Sequence, residues 1–566
     1  MMSNKLLRIA LIFFASTCIS TAFDCGKRVR KSYDKLTPAE KGLYRRALSL
    51  SMDKGYYIKF VEVHTEMKSE KQAHRVCMFT YWHRYLLLGF ENMLRSLGDE
   101  FKCITIPYWD EIQHSANLLS GKCNSIENCS SIVRDWGGST VGKQTDISIN
   151  GMLTSGNICA TKVPLNHFCQ SSSTSGAQCA KCVPRGDINN KIFPAAVSYV
   201  SIYRQLLTPS DFTSAVKSIE DGMHNTLHAT LEGAMSTFQA PADPLFFAHH
   251  AFVDLLFTTY LKCNVGLGIL TNDEKKSNLH AFAECPHRID AGIGNYTTSS
   301  TVTMRSGEGG KKPMTVFKTG QDLYPFFKEI PPYYYQLADV TSLGVNSYSY
   351  EVQGLVGQLH EKCDAAPKNA RGRRLEAKAS TTHLRCYVST NDTESEEITS
   401  DGDHPFDPSQ DPTDAADISP SPPPEMIEEV VQNVNNWVER IVEKLEDSPY
   451  ASRTDSIPSP AIAEELEKMM CMFYDECHGG IKDYPESFKK AFHVAEPPPC
   501  KVIVDAIRSN QTSLQLDNWR EIMEDYFPCN DITKAQESFG SKDDDFPQSS
   551  SSFMYEGSTS ASSLFG

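Results

Sequence analysis

From Leu36 to about Glu351 the apolar residues recur mostly with the period of a helix rather than of a strand. The stretch "TPAEKGLYRRALSLSM" opens a helix at Thr37, with Glu40 placed to complete a reciprocal cap. "YYIKFVEVHTEM" and "FTYWHRYLLLGFENMLRSLG" continue the pattern, and Gly98 ends the second. "SDFTSAVKSIEDGMHNTLHATLEG" and "FAHHAFVDLLFTTYLKC" add two more helices. From about Gly121 to Lys191 the chain is instead rich in Gly, Ser and Cys, in loops too irregular to hold without disulfides. The fold class expected is mainly α, a helical bundle with long disulfided loops.

The pattern stops after Cys363. Residues 364–425 are dominated by Pro, Ser, Asp and Thr, which predicts a disordered linker. Helical periodicity returns in "MIEEVVQNVNNWVERIVEKL", with Val430, Val434, Trp437, Ile441 and Leu445 on one stripe. "AIAEELEKMMCMFYDEC" does the same through Ile462, Leu466, Met469 and Phe473. The domains expected are a leader (1–22), a large core (23–363), the linker (364–425), a small helical Cys-containing region (426–530) and a Ser-rich disordered tail (531–566).

The leader reading comes from Lys5 and Arg8, the apolar run "IALIFFASTCIS" and small residues up to Ala22, which together predict a cleaved secretory signal and a secreted protein. No later segment is apolar for long enough to span a bilayer. The net charge of −16 speaks against nucleic acid and anionic membranes as partners. Losing Cys18 with the leader leaves 17 of the 18 cysteines, an odd number; Cys77, alone in a helical segment, is expected to be the unpaired one. Cys123 with Cys129 and Cys179 with Cys182 fit disulfided loops better than zinc sites, and Cys471, Cys477, Cys500 and Cys529 are placed to staple the C-terminal region. Sequons at Asn128, Asn295, Asn391 and Asn510 permit glycosylation.

Six of the 16 histidines form two sets. His224 and His228 stand at i and i+4, so both imidazoles leave one helical face, and His250 follows in "DPLFFAHHAFVDLLF". His64, His74 and His83 form the other set. His74 and His83 would lie about 180° apart on one continuous helix, so both can ligate only if a helix begins between them. A buried imidazole without a partner costs about 1–3 kcal/mol, which favours a bound metal over six separate core histidines. Three imidazoles per site suit copper, zinc, iron or nickel. Two such sites on a helical core argue for a copper pair that binds O2 between the metals.

"HRYLLLGFE", "IPYWDE", "GMHNTLH" and "DPLFFAHHAFVD" together resemble the tyrosinases, members of the type-3 copper family with catechol oxidases and haemocyanins, over about residues 25–355. The resemblance implies two copper ions with O2 as co-substrate. His64, His74 and His83 would hold the first copper and His224, His228 and His250 the second, with His249 supporting. It implies conversion of monophenols such as tyrosine, and o-diphenols such as DOPA, to o-quinones, for pigment or for tanning of extracellular protein. The substrates would be phenolic small molecules or tyrosyl residues. A diphenol-limited catechol oxidase and a haemocyanin-like O2-binding protein are the alternatives.

In such enzymes an Asn after the first second-copper ligand works with a Glu to hold a water that takes the phenol proton; Asn225 and Glu220 match those parts. Tyr348 and Tyr350 in "SYSYE" resemble the tyrosine motif closing such domains. Gln72 stands where some relatives carry a thioether-forming cysteine. The absence of a membrane anchor resembles secreted invertebrate, flatworm-like forms. Asp254, four residues after His250, either orients its imidazole or is an exposed or capping carboxylate. "RGRR" (371–374) fits a processing protease cutting at Arg374, after which residues 426–530 would uncover the pocket, with Phe473 or Tyr474 as substrate mimics until then.

Overall fold

The computed structural model describes residues 25–266, 268–365, 418–446 and 459–529; the expected leader, the tail, most of the linker and "RGRR" lie outside them. The fold is mainly helical, as the periodicity implies. Helix α1 (Pro38–Asp53) carries the Thr37–Glu40 reciprocal cap. After α2 (Tyr56–Thr65) and α3 (Met67–Ala73) comes α4 (Phe79–Arg95), which packs along α9 (Leu245–Asn264) at the centre of the molecule. α5 (Glu111–Leu119), α6 (Tyr199–Leu207), α7 (Phe212–Ile219) and α8 (Asn225–Leu231) surround that pair, and α10 (Gly354–Ala365) closes the core. α9 is apolar on nearly every face because it is enclosed on nearly every face; sixteen of its residues are buried.

Aromatic packing joins α2, α4 and α9: the rings of Phe90 and Phe247 stack, with Tyr57 and Phe60 edge-on to both. Beside them lies a buried charge network. Asp254 on α9 accepts from Arg84 Nε at 2.5 Å and Arg30 Nη1 at 3.3 Å, and from the hydroxyls of Tyr348 and Tyr350 at 2.5 and 2.6 Å. Arg30 also donates to Glu91 at 3.0 Å. The strands β1 (Arg28–Arg30) and β2 (Tyr348–Tyr350) pair in parallel and bring both ends of the core to this network. Asp254 is thus neither exposed nor bound to His250: its oxygens are engaged by two guanidinium groups and two phenols. The tyrosine motif closes the domain by ligating this carboxylate.

Loop disulfides run Cys25–Cys103, Cys123–Cys129, Cys159–Cys182 and Cys169–Cys179. Cys77 is not unpaired; it is bonded to Cys285, 208 residues away, a distance in sequence that local reading cannot bridge. Cys263 is disulfide-bonded as well.

The last residues of the expected disordered linker are ordered by docking. Ser419 N–H donates to Asp135 at 2.7 Å, Arg134 donates to the Ser419 hydroxyl, and Lys41 donates to Ser421 Oγ at 3.1 Å. Helices α11 (Pro424–Glu446) and α12 (Pro460–Cys477) follow, then α13 (Glu486–Phe492), α14 (Pro499–Arg508) and α15 (Trp519–Glu524). Cys471–Cys500 and Cys477–Cys529 staple them. The apolar stripes do not build a separate core: Val434, Trp437, Leu466, Met469 and Phe473 join the same buried cluster as the central helices, α12 lying along α6.

Candidate metal centre

His64 sits near the C-terminus of α2 and donates from Nδ1 to the Phe238 carbonyl at 2.8 Å. His83, one turn into α4, donates from Nδ1 to the Phe79 carbonyl at 2.9 Å. His74 lies between two helices, as the last residue capping α3 in extended conformation (φ −129°, ψ 144°). That break turns its ring toward the other two: the ring centroids of the three lie 4.8, 5.2 and 5.7 Å apart. Glu70 stands 3.7 Å from His74 Nδ1 and is itself forked by Arg288.

His224 and His228 come from two consecutive elements. Helix α7 ends at Ile219, a wide π-type turn spans Glu220–His224 with Gly222 off helical geometry (ψ −108°), and α8 begins at Asn225. A Cβ at Gly222 would meet the amide end of the Gln205 side chain, which would have to shift and give up its bond to Met223 N–H. His228 Nδ1 donates to the Met235 carbonyl at 2.6 Å, and His224 Nδ1 bonds the Asn225 side-chain oxygen at 3.0 Å. His249 and His250 arrive on α9. The ring of His250 stacks on His83 at 4.1 Å and joins the two sets.

A carbonyl only accepts, so an imidazole anchored to one through Nδ1–H presents the Nε2 lone pair. Nε2 of His64, His83, His224, His228 and His249, and both nitrogens of His74 and His250, are buried with no hydrogen-bond partner. One ligand atom from each of His64, His74 and His83 falls within 4.8 Å of the others, and the same holds for His224, His228, His249 and His250. Burial drives the imidazole pKa values down, so the rings are held neutral, the form that binds metal. These donors fit two copper ions: nitrogen only, neutral, converging and otherwise unsatisfied. The structure therefore brings together the two predicted sets, and adds His249 to the second.

The other predicted residues are placed differently from expectation. Glu220 does not meet Asn225; its Oε1 accepts the backbone N–H of Arg75 at 2.7 Å, beside His74, and the kink at Gly222 separates it from the helical face of His224, four residues on. Burial, with Asp221 nearby, pushes the Glu220 carboxyl up to about 8. Asp221 is the carboxylate near Asn225, 3.5 Å from its side-chain nitrogen. Gln72 accepts from Thr303 N–H and from the Tyr334 hydroxyl, both at 2.7 Å.

Against one imidazole of each set lies Phe492, the last residue of α13. Its ring is edge-on to His74 at 5.6 Å, 5.7 Å from His228 and 5.1 Å from Phe238. Phe473 and Tyr474 do not take this role. Phe473 packs on Phe527 and His478, and the Tyr474 hydroxyl lies near Ser115. Only the pair of phenylalanines in "SFKKAF", Phe488 and Phe492 four residues apart, marked a small apolar face in this stretch.

Residues 54–262 match the family model described as the common central domain of tyrosinase, a span that contains all seven of these histidines. Over that span the chain is similar to the central domain of tyrosinases. A tyrosinase of Streptomyces glaucescens is 25% identical over 266 residues, 43% of this chain and 85% of that protein. A tyrosinase of the fish Oryzias latipes is 26% identical over 210 residues, 34% of this chain and 37% of its own length. The chain thus spans little more than a third of the fish enzyme. Among solved structures, a polyphenol oxidase from Thermothelomyces thermophila is 17% identical, with a TM-score of 0.33, covering 57% of this chain and 88% of that one. The region 418–529, with Phe492, lies outside the tyrosinase match.

Proposed function

We propose that this protein oxidises phenols at a copper pair held by His64, His74 and His83 on one side and His224, His228 and His250 on the other. The observation that carries this is the convergence of buried, neutral imidazoles whose inward nitrogens bond nothing else. Two copper ions bound there supply activation of O2. The protein's own groups do the rest. Phe79, Phe238 and Phe246 pack against the imidazoles and exclude water from them. Asn225, fixed by His224 and neighboured by Asp221, is the group that orients a water to take the proton of an incoming phenol. Monophenols would then go to o-diphenols and on to o-quinones, with tyrosine, DOPA or protein tyrosyl groups as substrates.

Secretion is part of the same reading, supported by the disulfides and by the absence, among the described residues, of any helix long and apolar enough to cross a membrane. Phe492 favours a second possibility, O2 binding without turnover, since its ring leaves less room for a phenol than for O2. It equally suits a latent enzyme opened when α13 is displaced. Copper content and quinone formation from tyrosine and L-DOPA, measured on the full-length protein and on Phe492→Gly, decide between them. A carrier binds O2 reversibly and makes no quinone in either form; a covered oxidase gains activity when the ring is removed.

A further inference from the structure

We infer that Gln72 is a positioning residue for the first metal: it braces the non-helical turn that carries His74. The inference rests on the reading of the centre as a metal pair. His64, His83, His224, His228 and His249 are each tied through Nδ1, to a backbone carbonyl, the Asn225 amide oxygen or the Glu111 carboxylate. His250 has no such tie but rides inside the long helix α9. His74 has neither support. It lies past the end of α3, and neither of its ring nitrogens has a hydrogen-bond partner. Its direction is therefore set by packing and by the backbone on either side.

After His74, Arg75 N–H is held by Glu220 at 2.7 Å. Before it, the side-chain oxygen of Gln72 accepts from Thr303 N–H and from the Tyr334 hydroxyl, each at 2.7 Å. A backbone N–H only donates, so the end of Gln72 that faces Thr303 is the oxygen and not the nitrogen. Thr303 also links both arms of the first set. Its N–H meets Gln72, two residues before His74, and its carbonyl accepts from Trp82 Nε1 at 3.0 Å, one residue before His83. Arg305 N–H donates to Ser69 Oγ at 2.8 Å, three residues back along α3 from Gln72. The segment 302–306 is thus laid along α3 and tied to α4, and Gln72 is its tie nearest to His74. Val302, Met304 and Tyr334 are buried, so the brace is anchored in the core and cannot follow a shift of α3. Without the Gln72 oxygen two donors lose their acceptor, and the end of α3 is free to carry His74 away from His64 and His83.

The full-length protein, Gln72→Leu, Gln72→Glu and Tyr334→Phe are each loaded with copper, and the loss of metal to excess chelator is timed. Gln72→Leu keeps the bulk and removes the acceptor; it should release one of the two coppers about tenfold faster than the parent and the other at the parent rate. In a His224→Ala chain, which keeps the first site, it should speed loss of the copper that remains. Gln72→Glu retains an accepting oxygen and should release both coppers at the parent rate. Tyr334→Phe removes one of the two donors, should speed the same copper by a smaller factor, and carries the test if Gln72→Leu does not fold. Parent rates in these folded variants, equal acceleration of both coppers, or release from Gln72→Glu as fast as from Gln72→Leu overturn the inference alone. A parent chain that takes up fewer than two metal ions overturns the dinuclear reading together with it.

Discussion

Five imidazoles of the centre, those of His64, His83, His224, His228 and His249, are set by what holds Nδ1, and that makes single residues informative. His224→Ala and His250→Ala each remove an inward donor, so copper per chain should fall from two toward one and quinone formation should be lost, with the disulfided fold retained; metal analysis beside near-ultraviolet circular dichroism checks both. Asn225→Ala should lower tyrosine hydroxylation by about tenfold or more while DOPA oxidation falls far less, because only the monophenol needs its proton taken by an oriented water; equal losses would remove Asn225 and Asp221 from that role. Glu220 tests a different property. Its carboxyl is raised to about 8, mainly by burial. Between its ordinary range near 4.5 and about 8, the folded chain keeps a proton that the unfolded chain has released, so this group costs stability progressively as pH rises. Glu220→Gln should therefore raise the melting temperature by an amount that grows from pH 5 to pH 8, without a selective loss of hydroxylation.

At the scale of an element, α13 is the one whose ring packs on both histidine sets. It is seven residues long, lies inside the loop closed by Cys471–Cys500, and packs through Phe488 and Phe492 against Ala229, Tyr484 and Phe238. Arg75, next to His74, donates to the carbonyl of His493 and pairs with Glu496 at 3.8 Å, clasping the end of the helix beside His74. On the proposed function, a phenol would have to displace this contact to reach the histidines. If covering by the ring amounts to about 1.4 kcal/mol, Phe492→Ala raises kcat/KM for phenols about tenfold. Steady-state kinetics on the full-length chain measure this, and unchanged kinetics would show that phenols enter by another route.

For the whole molecule, the C-terminal helices are part of one core. Trp437, Leu466, Met469 and Phe473 are each almost wholly buried, and burial of a large apolar side chain contributes roughly 1.5–3 kcal/mol. Cutting the chain at Arg374 leaves that burial in place. A nicked protein should therefore migrate as one particle on size exclusion and stay covered, with activity appearing only when moderate denaturant or a second cut within 478–499 displaces α13. Immediate full activity on cleavage at Arg374 would mean that the docked helices are held far more weakly than their buried area implies.

Helical period, the spacing of His224 and His228, and the need for a break between His74 and His83 were all legible because each depends on neighbours within a turn or two of the chain. The same holds for the Thr37 cap and the disulfide within "CNSIENC". Local pattern misled where a partner comes from far away. Cys77 meets Cys285, Asp254 meets Arg30 and two tyrosines about a hundred residues on, and the strap at Ser419 is ordered by Asp135. Glu220 failed for a related reason: one off-helix torsion at Gly222 takes its side chain off the helical face of His224, four residues on, where regular periodicity placed it. Which phenylalanine packs on the histidine sets, and which carboxylate holds His249, depend on how α13 and α5 dock. Periodicity determines which face of a helix turns inward; only packing in three dimensions decides what that face meets.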